Sequence, residues 1–352
     1  MVAFGHFKTD GFLSGLTLAS TSYRFVDFFF VLSGFVIAHS STTRLTAEPG
    51  PATRSFLIRR IARLWPLHVF VLVLFMAHQS ALLVANKSDI VASPMAFTGD
   101  FAPEYLVPNL LLVQAWGFLP QSSWNEPAWS ISVEMFVYLL FALDAVVTRG
   151  RLWLLGPLTL AALLVAGLRP ETMSATYDVA LWRGILGFGI GVLCHRLWLR
   201  IAHHRVPCAT LCEVAAASAM LGAIVLLPET HGVWLVPVFG VAVVLFAQEQ
   251  GTLSRLLSGP GFALLGRLSY SIYLLHPFVL VGLFSAATLA GLIEKNALGS
   301  SYLALGPGVA DLALLGYLAL VITLSRWTYR FIELPGQRIG KRIAARRTAA
   351  EA

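Results

Sequence analysis

Apolar runs of about 20 residues, separated by short polar or basic stretches, recur along the whole chain. They lie at residues 25–40, 64–85, 129–147, 152–168, 179–199, 209–227, 232–248, 268–291 and 308–330. Each is near the length at which a helix crosses the hydrocarbon core of a bilayer, roughly 20 residues. In lipid only helices and closed barrels satisfy their own backbone groups, and runs this long predict helices. The first run is short for a crossing and takes in flanking residues such as Tyr23. Residues 101–120 are also apolar, but Pro103, Pro108 and Pro120 interrupt them. That spacing predicts a re-entrant or interfacial piece and not a full span.

Composition sharpens the class. Of 352 residues 57% are hydrophobic and 12% charged, against about 25% charged in a soluble domain. The chain is therefore expected to be an all-α polytopic membrane protein. Its basic residues give the orientation, since cytoplasmic loops concentrate Lys and Arg. Placing residues 41–63 in the cytoplasm puts Arg44, Arg54, Arg59, Arg60 and Arg63 there. Alternating the spans adds Arg149, Arg151, Arg196, Arg200, Arg205, Arg255 and Arg267, and then the tail with Arg326, Arg330, Arg338, Lys341, Arg342, Arg346 and Arg347. Lys8, Arg24, Lys87, Arg169, Arg183 and Lys295 are left outside or within the membrane. The opposite orientation reverses this ratio. The +7 net charge then reflects topology and contact with anionic lipid, and calls for no nucleic acid.

Met1 to Ser20 lacks the basic start, clean apolar stretch and cleavage site of a signal peptide. Cys194, Cys208 and Cys212 fall at or near cytoplasmic span ends, where disulfides are not expected. His203, His204, Cys208 and Cys212 match no usual zinc spacing, and no metal is expected. There is no internal repeat, and the chain divides into a membrane domain, 1–334, and a basic cytoplasmic tail, 335–352.

Ionisable side chains inside spans are costly in lipid and mark functional candidates. In or near the runs stand Asp27, His68, His78, Glu134, Asp144, Arg183, His276 and Asp311, with His6 apart in the early FGHF. An imidazole titrates near neutrality and suits proton removal from a hydroxyl. The bland alternative for a single membrane histidine is a hydrogen bond between helices. Asp144 and Asp311 can likewise serve span ends, and aromatic-belt anchoring accounts for the tryptophans of Trp124-Asn125-Glu126-Pro127-Ala128-Trp129 ahead of Glu134. Arg59, Arg60 and Arg63 form R-R-x-x-R. Topology alone explains arginines at this point, but spacings of three and four residues give the three one helical face. Guanidinium forks bind phosphate bidentately, so this face suits a multiply charged anion such as the headgroup of coenzyme A.

Six segments, taken together, resemble the acyltransferase 3 family of bacterial integral-membrane acyltransferases. They are FVDFFFVLSGFVI (25–37), RRIAR followed by Leu-Trp-Pro (59–66), WSISVEMFVYLL (129–140), RGILGFGIG (183–191), LGRLSYSIYLLHPFVL (265–280) and YRFIELPGQRIGKR (329–342). They occur in the family's order over almost the whole chain. The resemblance implies about ten transmembrane helices in the bacterial cytoplasmic (inner) membrane, the first truncated here. It also implies transfer of an acyl group, usually acetyl, from cytosolic acyl-CoA. The acceptor would be a hydroxyl of a cell-surface polysaccharide such as lipopolysaccharide or exopolysaccharide, or of a glycolipid. Acyl-CoA is then a co-substrate, with no permanently bound cofactor. His6 takes the place of the family's essential histidine, and Arg59, Arg60 and Arg63 that of its acyl-CoA arginine motif. Glu134 is expected to act beside His6, with Asp27, Arg183 and His276 as candidates for orienting the substrate.

One departure stands out. The family carries an arginine eleven positions before its histidine, and counting back from His6 runs past Met1. A start codon placed too far downstream is the favoured explanation, ahead of a truncated paralogue. The chain stops about 20 residues after the last span, as expected of the form without a soluble esterase-like domain. Two rival readings are a glycolipid or metabolite transporter, which leaves R-R-x-x-R without a purpose, and a non-catalytic membrane partner of polysaccharide synthesis.

Overall fold

A computed structural model describes residues 1–87, 95–121, 123–295 and 301–351. The side chains of Lys87, Lys295 and Arg347, counted above among the basic residues, lie outside the described set. The helices are α1 (Val2–His6), α2 (Thr17–Ser20), α3 (Phe25–Ala47), α4 (Pro49–Lys87), α5 (Leu106–Leu110), α6 (Trp129–Val147) and α7 (Leu155–Leu168). They continue with α8 (Ala180–Ile201), α9 (Ala209–Leu226), α10 (Leu235–Phe246), α11 (Thr252–Leu257), α12 (Pro260–Leu289), α13 (Pro307–Thr328) and α14 (Leu334–Glu351). Between α12 and α13 a short antiparallel pair, β1 (Ile293–Lys295) and β2 (Ser301–Leu303), registers Glu294 against Tyr302. Among the described residues eight helices are long and apolar enough to cross a membrane, and this is a multi-pass membrane protein. The shorter α7 has 14 residues, about 21 Å of rise, and a 3-10 turn at Pro170–Met173 extends its path.

Residues 101–120 make no crossing. They form 3-10 turns and the five-residue α5, held inward by side chains that satisfy their carbonyls. Trp65 Nε1 donates to Leu110 O at 2.9 Å, and His68 Nε2 donates to Asn109 O at 2.8 Å. Trp124 and Trp129 are buried inside the protein, so they are core residues and not the membrane-interface anchors that their sequence position suggested.

Residues 41–63 differ from the loop that their polar composition suggested. Helix α3 runs on to Ala47, the chain breaks only at Glu48 (φ −131°), and α4 starts at Pro49. Proline lacks the N–H that a first helical turn leaves unpaired anyway, so it opens this helix without penalty. R-R-x-x-R therefore sits well inside a 39-residue helix. The segment after residue 334 is helical too. Helix α14 follows α13 through a π-helical turn at Tyr329–Glu333 and lies along α4. Gly336 packs over Pro66 and the Ala62 carbonyl, and Gly340 over Ala62, positions where a side chain would collide.

The centre of the bundle is the α3–α8 contact. Gly34 faces the Phe188 carbonyl, Gly191 faces the Val31 carbonyl and Gly187 faces Phe30, so the two backbones approach closely. That approach brings Asp27 of α3 against Arg183 of α8, both about 1% exposed. Arg183 Nε and Nη2 donate to the two Asp27 carboxylate oxygens at 2.6 and 3.0 Å, Nη1 donates to Ala175 O at 3.1 Å, and the guanidinium lies 4.9 Å above the Trp129 ring.

The first residues are pinned across the bundle. Leu303 N donates to Lys8 O at 3.1 Å, and Leu13 N donates to Asp311 Oδ1 at 2.9 Å. Asp10 accepts from Leu305 N at 3.2 Å and Gly306 N at 2.8 Å, beside the start of α13. The Leu305 amide, with a further contribution from Gly306, holds the Asp10 carboxyl below its usual range, outweighing the opposing effect of desolvation. A carboxyl whose folded pKa is lowered stabilises fully above its unfolded value, and that support fades as pH falls through the folded value. Amide exchange in residues 7–13, corrected for intrinsic rate, should therefore speed up toward that of Asp10→Asn below about pH 4. Equal protection of the two proteins at neutral pH would remove the anchor.

Candidate active site

Helix α6 and the 3-10 turn before it, Glu126–Ala128, carry one continuous polar face. Glu126, Ser130, Glu134 and Tyr138 recur every fourth residue and fall on one side. Two chambers open along this face. One, of about 270 Å³, is lined by Arg60 and Arg63 of α4, Ser33 of α3, Glu134 and Tyr138 of α6, and Tyr270 of α12. The other, of about 300 Å³, is lined by His6, Glu126, Trp129, Arg183 and Glu229. Val26 and Tyr273 line both.

In the histidine chamber the hydrogen bonds determine where each proton resides. His276 Nδ1 lies 2.7 Å from Tyr273 O and 3.3 Å from Ile272 O. Carbonyls only accept, so Nδ1 carries the hydrogen and Nε2 of the neutral ring is an acceptor. His6 Nδ1 lies 3.0 Å from Val2 O and 3.3 Å from His276 Nε2, so it too is the protonated nitrogen. In the neutral ring this leaves the lone pair on His6 Nε2, which faces the chamber 3.8 Å from Glu126 Oε2. Side-chain exposures of 38% for His6 and 51% for Glu126 leave both open to a ligand, whereas His276 is fully buried. Asn125 Nδ2 donates to Leu274 O at 3.0 Å and ties the Glu126 turn to the helix that carries His276.

The arginine chamber holds the other expected residues. Arg60 and Arg63 line it, and Arg59 does not. Arg59 lies one residue, or 100°, around the helix and donates to Ser55 Oγ at 2.5 Å. The Arg60 guanidinium lies over Phe56 (5.4 Å) and Tyr138 (5.8 Å), with its buried Nε unpaired among the described residues. Glu134 does not touch His6. It accepts from Ser33 Oγ at 3.1 Å and from the Tyr138 hydroxyl, two turns along α6 from Glu126. Asp27 and Arg183 pair with each other, and Arg183 also borders the histidine chamber.

His78 lies 3.4 Å from Ser285 Oγ, and Asp144 accepts from Leu154 N at 2.9 Å, both structural bonds. No cluster of three or more metal-ligating side chains occurs among the described residues. Glu126 and Tyr273 are the residues that the sequence reading passed over. The four-residue spacing from Glu126 to Tyr138 was the available signal.

Comparison with known proteins bears on this geometry. A family described as "Acyltransferase domain" matches residues 1–327. "Acyltransferase MdmB" of Streptomyces mycarofaciens is 28% identical over 280 residues, which is 72% of this chain and 67% of that protein. "Protein 2 in picA locus" of Rhizobium radiobacter is 35% identical over 131 residues, 35% of this chain and 66% of that protein. No solved structure matches.

Proposed function

Since this chain belongs to the acyltransferase-domain family, we propose that it takes an acyl group, acetyl in the first instance, from acyl-CoA in the cytosol. It then passes the group through the bundle to a hydroxyl of a cell-surface polysaccharide or glycolipid. The observation that carries this reading is the adjacency, across the shared walls Val26 and Tyr273, of a chamber with two guanidinium groups and a chamber where a histidine faces a carboxylate. Arg60 and Arg63 dock the phosphates of the donor by charge-assisted hydrogen bonds, and the thioester arm follows the α6 face toward His6. There His6 Nε2 takes the proton of the acceptor hydroxyl as its oxygen attacks the thioester carbonyl. The C–S bond then breaks, and the thiolate recovers the proton from His6. Glu126 stabilises the imidazolium formed between these steps, and His276 keeps the Nδ1 proton of His6 in place.

Membrane vesicles supplied with acetyl-labelled acetyl-CoA test the reading. Label should appear in a glycan or lipid fraction in proportion to the amount of this protein. Vesicles that carry the protein and transfer no label would overturn it, and label moved across the membrane unchanged would support a transporter. The chamber further predicts an asymmetry within R-R-x-x-R. Arg60→Ala should raise KM for acetyl-CoA by about 10-fold or more, the scale of one lost charge-assisted bond. Arg59→Ala, lying off the chamber, should change it by less than about 3-fold. Equal effects would return the docking role to all three arginines.

A further inference from the structure

We propose that Tyr273 is the partition between the two chambers, and that its ring closes the acyl path whenever no donor arm occupies it. This rests on the reading above for what passes through, and the partition is inferred from the walls that the two chambers share. Among the described residues, only Val26 and Tyr273 belong to both walls. Val26 is short and buried, so the long ring of Tyr273 fills the way through.

Its hydroxyl is held in place by two partners. It donates to Pro127 O at 2.9 Å and accepts from Ser130 Oγ at 2.9 Å, while Ser130 Oγ also lies 3.1 Å from Pro127 O. These bonds latch the ring of α12 to the turn that presents Glu126. The carbonyl of the same residue receives the His276 Nδ1 proton. Swinging the ring aside breaks only side-chain bonds and leaves that carbonyl in the helix, so the path can open without disturbing the histidine pair. A closed partition keeps water in the histidine chamber away from the thioester until the arm arrives. Its swing also limits the size of acyl group that passes, with small groups favoured.

Accessibility labelling tests the partition without requiring any acyl transfer. In a background with Cys194, Cys208 and Cys212 replaced by serine, Glu126→Cys is treated with a small charged thiosulfonate from the Arg60/Arg63 side of sealed vesicles. With Tyr273 intact, labelling should be slow. Tyr273→Ala should speed it at least 10-fold, and Tyr273→Phe, which keeps the ring and loses the latch, by a few-fold. An unchanged rate in both variants would overturn the proposal, as would fast labelling with Tyr273 present. If Tyr273→Ala does not fold, Tyr273→Phe and Ser130→Ala carry the same test. Should the vesicles prove to be acyltransferases, Tyr273→Ala should also raise the hexanoyl-to-acetyl transfer ratio and acceptor-independent thioester hydrolysis, each at least 10-fold. Failure of acyl transfer in the parent protein counts against the function alone, and failure of the labelling pattern counts against the partition alone.

Discussion

His6→Ala should lower acyl transfer by about 10²–10⁴-fold, the usual worth of a general base, while leaving KM for acetyl-CoA nearly unchanged. The separation follows from the layout, because the groups that would hold the donor phosphates line a different chamber from His6. Removing an interaction made only in the transition state lowers kcat and leaves ground-state binding alone. His276→Phe should lose less, since it frees the Nδ1 proton of His6 without removing the base, and Val2 O still holds that proton. Label transfer in vesicles, measured over a range of acetyl-CoA concentrations, reads both parameters. Transfer by His6→Ala at the parental rate would end the general-base assignment.

Asp27→Ala should cost about 3–5 kcal/mol of stability, the range for stripping one partner from a buried ion pair. Arg183 would then carry an uncompensated charge at about 1% exposure, with Ala175 O and the Trp129 face as its remaining polar contacts. Replacing both residues, as Asp27→Leu with Arg183→Met, should recover most of the loss, because two apolar side chains of similar volume leave no orphaned charge. Thermal unfolding in detergent measures this directly. If Asp27→Ala melts with the parent protein, the pair is not a structural keystone. The double variant also separates two roles of Arg183. Recovered stability without recovered activity would mean that its edge toward the histidine chamber handles substrate.

Much of this architecture is legible in the sequence, because a bilayer imposes its length scale on every crossing helix. The apolar runs, the non-crossing stretch at 101–120 and the family blocks all follow from local pattern. What local pattern could not supply is the partner of each charged group. Residues 41–63 are polar enough to suggest a loop, yet Thr42 and Thr46 return their hydroxyls to the preceding turn and stay helical. Arg59, Arg60 and Arg63 share a broad face by spacing, and only the fold shows that Arg60 and Arg63 line the chamber, with the Arg60 guanidinium over Phe56 and Tyr138. Glu134 drew attention as a carboxylate within a span, although Ser33 and Tyr138 occupy it. Glu126 escaped notice among tryptophans, since its neighbour His6 is 120 residues away in sequence. Contacts of that separation are set by the meeting of α1, α6 and α12, which no window of sequence contains.

The repeat from Glu126 to Tyr138 also acts as a measuring rod. Glu126, which faces His6, and Tyr138, whose ring lies against the Arg60 guanidinium, stand twelve residues apart, about 18 Å along a helix. On the proposed reading this is the distance between the donor phosphates and the reacting carbonyl. Reach, and not reactivity, then decides which donors are useful. A short thioester such as acetyl-N-acetylcysteamine has the same leaving group but no anchored tether. It should lose kcat as well as affinity, because the energy that draws the carbonyl to His6 comes from phosphates at the far end of the rod.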